Sequence, residues 1–164
     1  MKRNIINFLA FYAGWFICVK TASWVAPVAA LALIAIQIPR RHEWAVIGAA
    51  FLLGTSTDTF LEQAGLVSYA GGPRIGPLVP LWIASLWALF ASTLNRSMAW
   101  LKDKPVAATI AGAVSGPMTY WLAMKLGAVE MTTAGYIAVA IEFAVFTPLL
   151  LRLPVQVFVR RLAS

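Results

Sequence analysis

Three of the chain's six acidic residues, Asp58, Glu62 and Glu142, fall inside long apolar runs. An ionisable residue deep in a bilayer costs about 2.5 to 3.5 kcal/mol on insertion scales, so each marks a candidate functional position. Asp58 and Glu62 are one helical turn apart on one face, within a polar collar of Thr55, Ser56, Thr57 and Thr59. With Asn95 and Tyr120, Asp58 and Glu142 form the candidate lining of a polar ligand pocket. Glu62 and Lys125 reach the same depth on the expected topology and are a candidate ion pair. Each acidic residue has a plainer reading as well: a hydrogen-bonded packing group for Asp58 and Glu142, headgroup water for Glu62.

The familiar catalytic templates are missing. The chain has no G-x-x-x-x-G-K-[ST] for nucleotide phosphates, no H-E-x-x-H for zinc and no G-x-S-x-G nucleophile turn. One Cys and one His exclude a Cys/His metal cage or a disulfide framework built within the chain. An Asp58–Glu62 pair resembles half of a magnesium site, but such a site needs further oxygen ligands. No catalytic residue, metal ligand or cofactor is therefore assigned.

These residues must be held by something that crosses a membrane. Of 164 residues 61% are hydrophobic and 12% charged, with a mean hydropathy of +0.80, whereas charged residues make up about a quarter of a soluble domain. A span needs roughly 20 apolar residues. Six segments are predicted: 4–19, 23–38, 44–66, 78–101, 106–126 and 134–153. The expectation is a single all-α transmembrane domain over 1–164, a six-helix polytopic bundle.

Charge sets the expected orientation. The net charge of +7 is scattered between apolar blocks and forms no nucleic-acid patch. With the N-terminus inside, Lys2, Arg3, Arg40, Arg41, Arg96, Lys102, Lys104, Arg152, Arg160 and Arg161 fall at cytoplasmic ends, and only Lys20, Arg74 and Lys125 at the opposite ends. Basic residues favour the cytoplasmic side, so both termini are expected there. The first span follows Lys2-Arg3 but lacks a small-residue cleavage site and is read as retained.

Ala108, Gly112 and Gly116 recur every four residues in the fifth span, a small-residue face that lets another helix approach closely. Either a neighbouring span of the same chain or a homodimer would fit it. A shift of 62 places the Arg40-Arg41 turn on Lys102-Asp103, Gly54 on Gly116 and Gly65 on Gly127. That echo would make spans two–three and four–five a parallel duplication, as in some transporters. Small residues are common in membrane helices, and coincidence is the simpler reading.

The residues Asn4, Asn7-Phe8, Gly14-Trp15-Phe16, Gly54…Asp58, Leu81-Trp82, the block Trp87–Trp100, Gly116-Pro117…Tyr120-Trp121 and Lys125–Ala128 together resemble a bacterial family catalogued as domain of unknown function 2878. The resemblance runs nearly end to end, and the block in the fourth span is its most specific part. Where the family's pattern often has His after the Asn, this chain has Arg96, which argues against a titrating group there. The resemblance implies a multi-pass protein of the bacterial inner membrane and no established activity.

The leading reading is a non-catalytic integral-membrane component for transport, binding or scaffolding, with a polar intramembrane pocket. Its partners would be membrane lipid and other membrane proteins or a second copy, and not nucleic acid. The alternative is a lipid- or quinone-level enzyme using the intramembrane carboxylates as acid and base.

Overall fold

The computed structural model describes residues 2–37 and 39–153. Arg160 and Arg161 lie outside the described residues. Six α-helices account for most of them: α1 Lys2–Thr21, α2 Val25–Ala35, α3 Arg41–Gln63, α4 Leu81–Leu94, α5 Pro105–Lys125 and α6 Thr133–Arg152. Helices α1, α3 and α6 are long and apolar enough to cross a membrane.

Helices α2 and α4 are shorter than the segments predicted for them. The apolar run of α2 gives way to a turn at Ile36-Gln37, shortly before Pro39, a residue that cannot continue a helix. The run predicted as 78–101 begins after Pro80 and ends at Leu94. Turns and a short 3-10 segment, Ala99–Leu101, complete it. A 14-residue helix is about 21 Å long, and α4 buries eleven of its residues. It is the central helix, against which α1, α2 and α3 pack.

Two short strands were not anticipated: β1 Val67–Tyr69 and β2 Val129–Met131, paired antiparallel. They follow α3 and α5 directly. Each helix ends in a glycine with positive φ, Gly65 at 70° and Gly127 at 74°, a conformation that glycine adopts without a Cβ penalty. The hydrogen bonds of the two ends repeat at the 62-residue offset. Gly65 N–H donates to Glu62 at 3.0 Å and Gly127 N–H to Met124 at 2.9 Å. Leu66 N–H donates to Leu61, and Ala128 N–H to Ala123, both at 3.0 Å.

The ribbon joins these equivalent ends about a local twofold. Ser68 pairs with Glu130, its own counterpart, while Val67 pairs with Met131 and Tyr69 with Val129. The flanking bonds are exchanged too: Ala70 N–H to Ala128 O at 2.8 Å, and Thr132 N–H to Leu66 O at 3.0 Å. The 62-residue repeat thus covers the ends of α3 and α5 and the strands that follow them, while α4 and α6, the helices that come next, differ in length and offset. The sequence echo therefore has a structural counterpart at these ends, and not over spans two–three and four–five as whole units.

Glycine sets the close approaches within each half. A Cβ at Gly54 would fall inside the Trp87 indole of the following helix, and one at Gly116 would meet the Phe143 ring of the helix following it. Gly112 lies directly against the Phe143 carbonyl and Thr147 hydroxyl, and Ala108 is buried. The small-residue face of α5 thus packs against α6 of the same chain at Gly112 and Gly116. Trp87 and Phe143 stack on each other where the halves meet, with centroids 4.9 Å apart and planes at 29°.

Candidate functional site

Asp58 is fully buried in α3. Its Oδ1 accepts hydrogen bonds from the Tyr69 hydroxyl at 2.5 Å and the Tyr120 hydroxyl at 2.6 Å, and its Oδ2 accepts from the Trp87 indole N–H at 2.6 Å. The indole can only donate and each tyrosine hydroxyl is placed to donate, so the carboxylate's accepting capacity is met by three protein groups. Four parts of the fold converge here: α3 supplies the carboxylate, the ribbon Tyr69, α4 Trp87 and α5 Tyr120. Burial, and then the neighbouring Asp58, push the Tyr69 hydroxyl well above the usual phenol range. It therefore stays a donor at neutral pH.

The Gly54-x-x-x-Asp58 spacing has a direct structural meaning. One turn before the carboxylate, the absent side chain makes room for the Trp87 ring, and Asp58 then receives the indole N–H of that ring. Tyr69 and Trp87 were missing from the sequence-derived site. A chain-wide search for donors to a buried carboxylate would have offered many aromatic hydroxyls and indoles with no basis for choice.

Around this cluster lies a cavity of about 330 Å³ with walls from α1, α4 and α5. Phe8, Tyr12 and Trp15 of α1 face Trp87 and Phe90 of α4 and Tyr120 of α5 across it, with Asp58 at its floor. Phe8, Tyr12, Trp100 and Met118 are exposed and form its mouth.

The structure brings together Asp58 and Tyr120 but separates the other candidates. Glu142 is buried in α6, and neither of its carboxyl oxygens has a hydrogen-bond partner among the described residues. It does not line the cavity. Asn95 caps the end of α4 and lines a separate polar cleft with Arg3, Arg40, Glu43 and Arg96. It does not line the cavity above Asp58, although its neighbours Thr93 and Ser97 do.

Glu62 and Lys125 do not pair. Both Glu62 oxygens are taken by Arg74, at 2.7 and 2.8 Å, because the loop after β1 folds back over the end of α3. Lys125 instead lies 5.5 Å from the centroid of the Trp121 ring, one turn before it on α5. Arg96, expected near an interface, pairs with buried Glu43 at 2.8 Å. The same carboxylate accepts the Arg40 N–H at the start of α3.

Asn7 shows how α1 is fixed beside the cavity. Its amide donates to Gln37 and to the Ser92 carbonyl, and its oxygen accepts from the Ser97 hydroxyl and N–H. A single buried amide, fully satisfied, ties α1 to the end of α2 and to both sides of the α4 terminus. Among the described residues no group of three or more His, Cys, Asp or Glu side chains could hold a metal ion.

The model of one protein family, described as "Protein of unknown function (DUF2878)", matches residues 4–149. No curated protein and no solved structure matches the chain.

Proposed function

We propose a binding role for this chain, which belongs to the family described as proteins of unknown function DUF2878. It acts as a non-catalytic, multi-pass component of the bacterial inner membrane, one domain over residues 1–164, with six crossings and both termini in the cytoplasm. It holds a small ligand in the cavity above Asp58, as the capturing part of a transport or scaffold assembly. Lipid surrounds it, and other membrane proteins or a second copy are its partners.

The observation that carries the reading is the cavity itself. It has the volume of a small-molecule site, is mainly apolar, and has one carboxylate at its floor, held by three donors. A catalytic acid or base has to exchange protons with a substrate, whereas this carboxylate is occupied by protein donors. The short α4 is compatible with six crossings because it is sheathed by protein on most sides and need not match the lipid thickness by itself.

Native mass spectrometry of the detergent-purified chain tests the reading. A defined small molecule retained by the wild type and lost from Asp58→Asn supports it. Identical, featureless lipid adducts in both would refute it and favour a packing scaffold. Reporter fusions at the two termini test the orientation, and a periplasmic signal at either end would overturn it.

A further inference from the structure

We infer that the cavity above Asp58 takes a lipophilic organic cation, a protonated or quaternary amine on an apolar body. The inference rests on the binding reading above and adds the ligand's chemical class. Half of all Phe, Tyr and Trp residues in the chain line this one cavity. Their ring faces carry negative quadrupole charge, which attracts a cation within about 6 Å of the centroid. A groove for a lipid tail alone needs only aliphatic walls.

Six polar side chains of the lining point the same way, because their protons are already committed to the protein, whereas those of Tyr12, Trp15, Trp100 and Ser115 meet no acceptor among the described residues. Trp87 and Tyr120 donate to Asp58, and Trp82 donates to the carbonyls of Ala70 and Gly71. The hydroxyls of Thr93, Ser97 and Thr119 donate to Phe90, Asn7 and Gly116. What these groups leave for a ligand is oxygen lone pairs and ring faces. The lining holds no Lys, Arg or His, so an anion would meet Asp58 with nothing to balance it. A cation would instead complete the charge of a buried carboxylate that no basic side chain of the cavity neutralises. The ammonium need not touch Asp58 directly, since the field of a buried charge is weakly screened.

The test uses the full chain in nanodiscs of zwitterionic lipid, with benzyltrimethylammonium and its uncharged carbon isostere neopentylbenzene as probes. Binding is read as a saturable rise in melting temperature. The cation should bind at least about tenfold more tightly than the isostere. Tyr12→Leu at the mouth and Trp15→Leu further in keep an apolar wall but remove ring faces. Each should weaken the cation about threefold or more and leave the isostere unchanged. Equal binding of the two probes, or loss of both in the leucine variants alike, overturns the cation assignment while the binding reading stands. If neither probe binds, the cation assignment fails. The binding reading fails with it only if native mass spectrometry also finds no ligand in the wild type.

Discussion

Asp58 and Tyr120 stand 62 residues apart, occupy equivalent positions in the two halves of the fold, and are joined by a 2.6 Å hydrogen bond from the tyrosine to the carboxylate. Trp87 and Phe143, the rings that occupy the spaces left by Gly54 and Gly116, stack on each other. A duplicated unit has thus diverged at its meeting surface. One copy supplies an acceptor and the other a donor, and only together do they make a satisfied buried site.

Asp58→Asn should destabilise the chain by about 1 to 3 kcal/mol through an unsatisfied buried donor. The amide has one accepting oxygen. If that faces the two tyrosines, its NH₂ meets the Trp87 N–H, which can only donate. Trp87→Phe removes that clash, so the double variant should lose less than the sum of the single changes. Denaturation in mild detergent measures the cycle, and strict additivity would contradict the Asp58–Trp87 bond.

Three glycines separate space from backbone conformation. Gly54→Ala should destabilise by about 1 to 3 kcal/mol, the usual range for overpacking, because the new methyl displaces Trp87. Gly48 on the same helix has nothing within 4 Å, so its alanine variant should be neutral or more stable by up to about 1 kcal/mol. Gly65→Ala has room but a positive φ, and should cost about 1 kcal/mol. Gly127→Ala should match Gly65→Ala, since the two conformations are equivalent. A large difference between them would count against the repeat.

Glu142→Gln should change stability by less than about 1 kcal/mol, because one buried polar group without a described partner replaces another. No hydrogen bond is lost, because neither carboxyl oxygen has a described partner. It should also leave ligand retention intact, since Glu142 does not line the cavity. Loss of ligand in this variant would place Glu142 in the site after all.

The two ion pairs should respond very differently to truncation. Arg74→Ala removes a partly exposed pair and should cost under about 1 kcal/mol, less still at high salt. Arg96→Ala leaves Glu43 buried without its guanidinium and should cost about 3 kcal/mol or more. Paired melting curves at low and high salt check both. Equal losses would mean that the burial difference carries no weight.

The sequence by itself determined the all-α class and the approximate places of six helices, though not the ends of α2 and α4, because apolar runs, prolines and glycines act locally. It also marked Asp58, since a carboxylate inside such a run is conspicuous whatever surrounds it. The 62-residue echo of Gly54 and Gly65 also stood in the sequence, but without the ribbon it could not be told from a coincidence of small residues, which are common in membrane helices. The partners were decided only by tertiary structure. Tyr69 reaches Asp58 because β1 pairs with a strand sixty residues away. Trp87 reaches it because Gly54 leaves a gap. Glu62 meets Arg74 in place of Lys125 because a loop turns back on its own helix. Which donor meets which acceptor depends on helix rotation and strand register. Those are set by the packing of the whole molecule, and spacing along the chain carries no record of them.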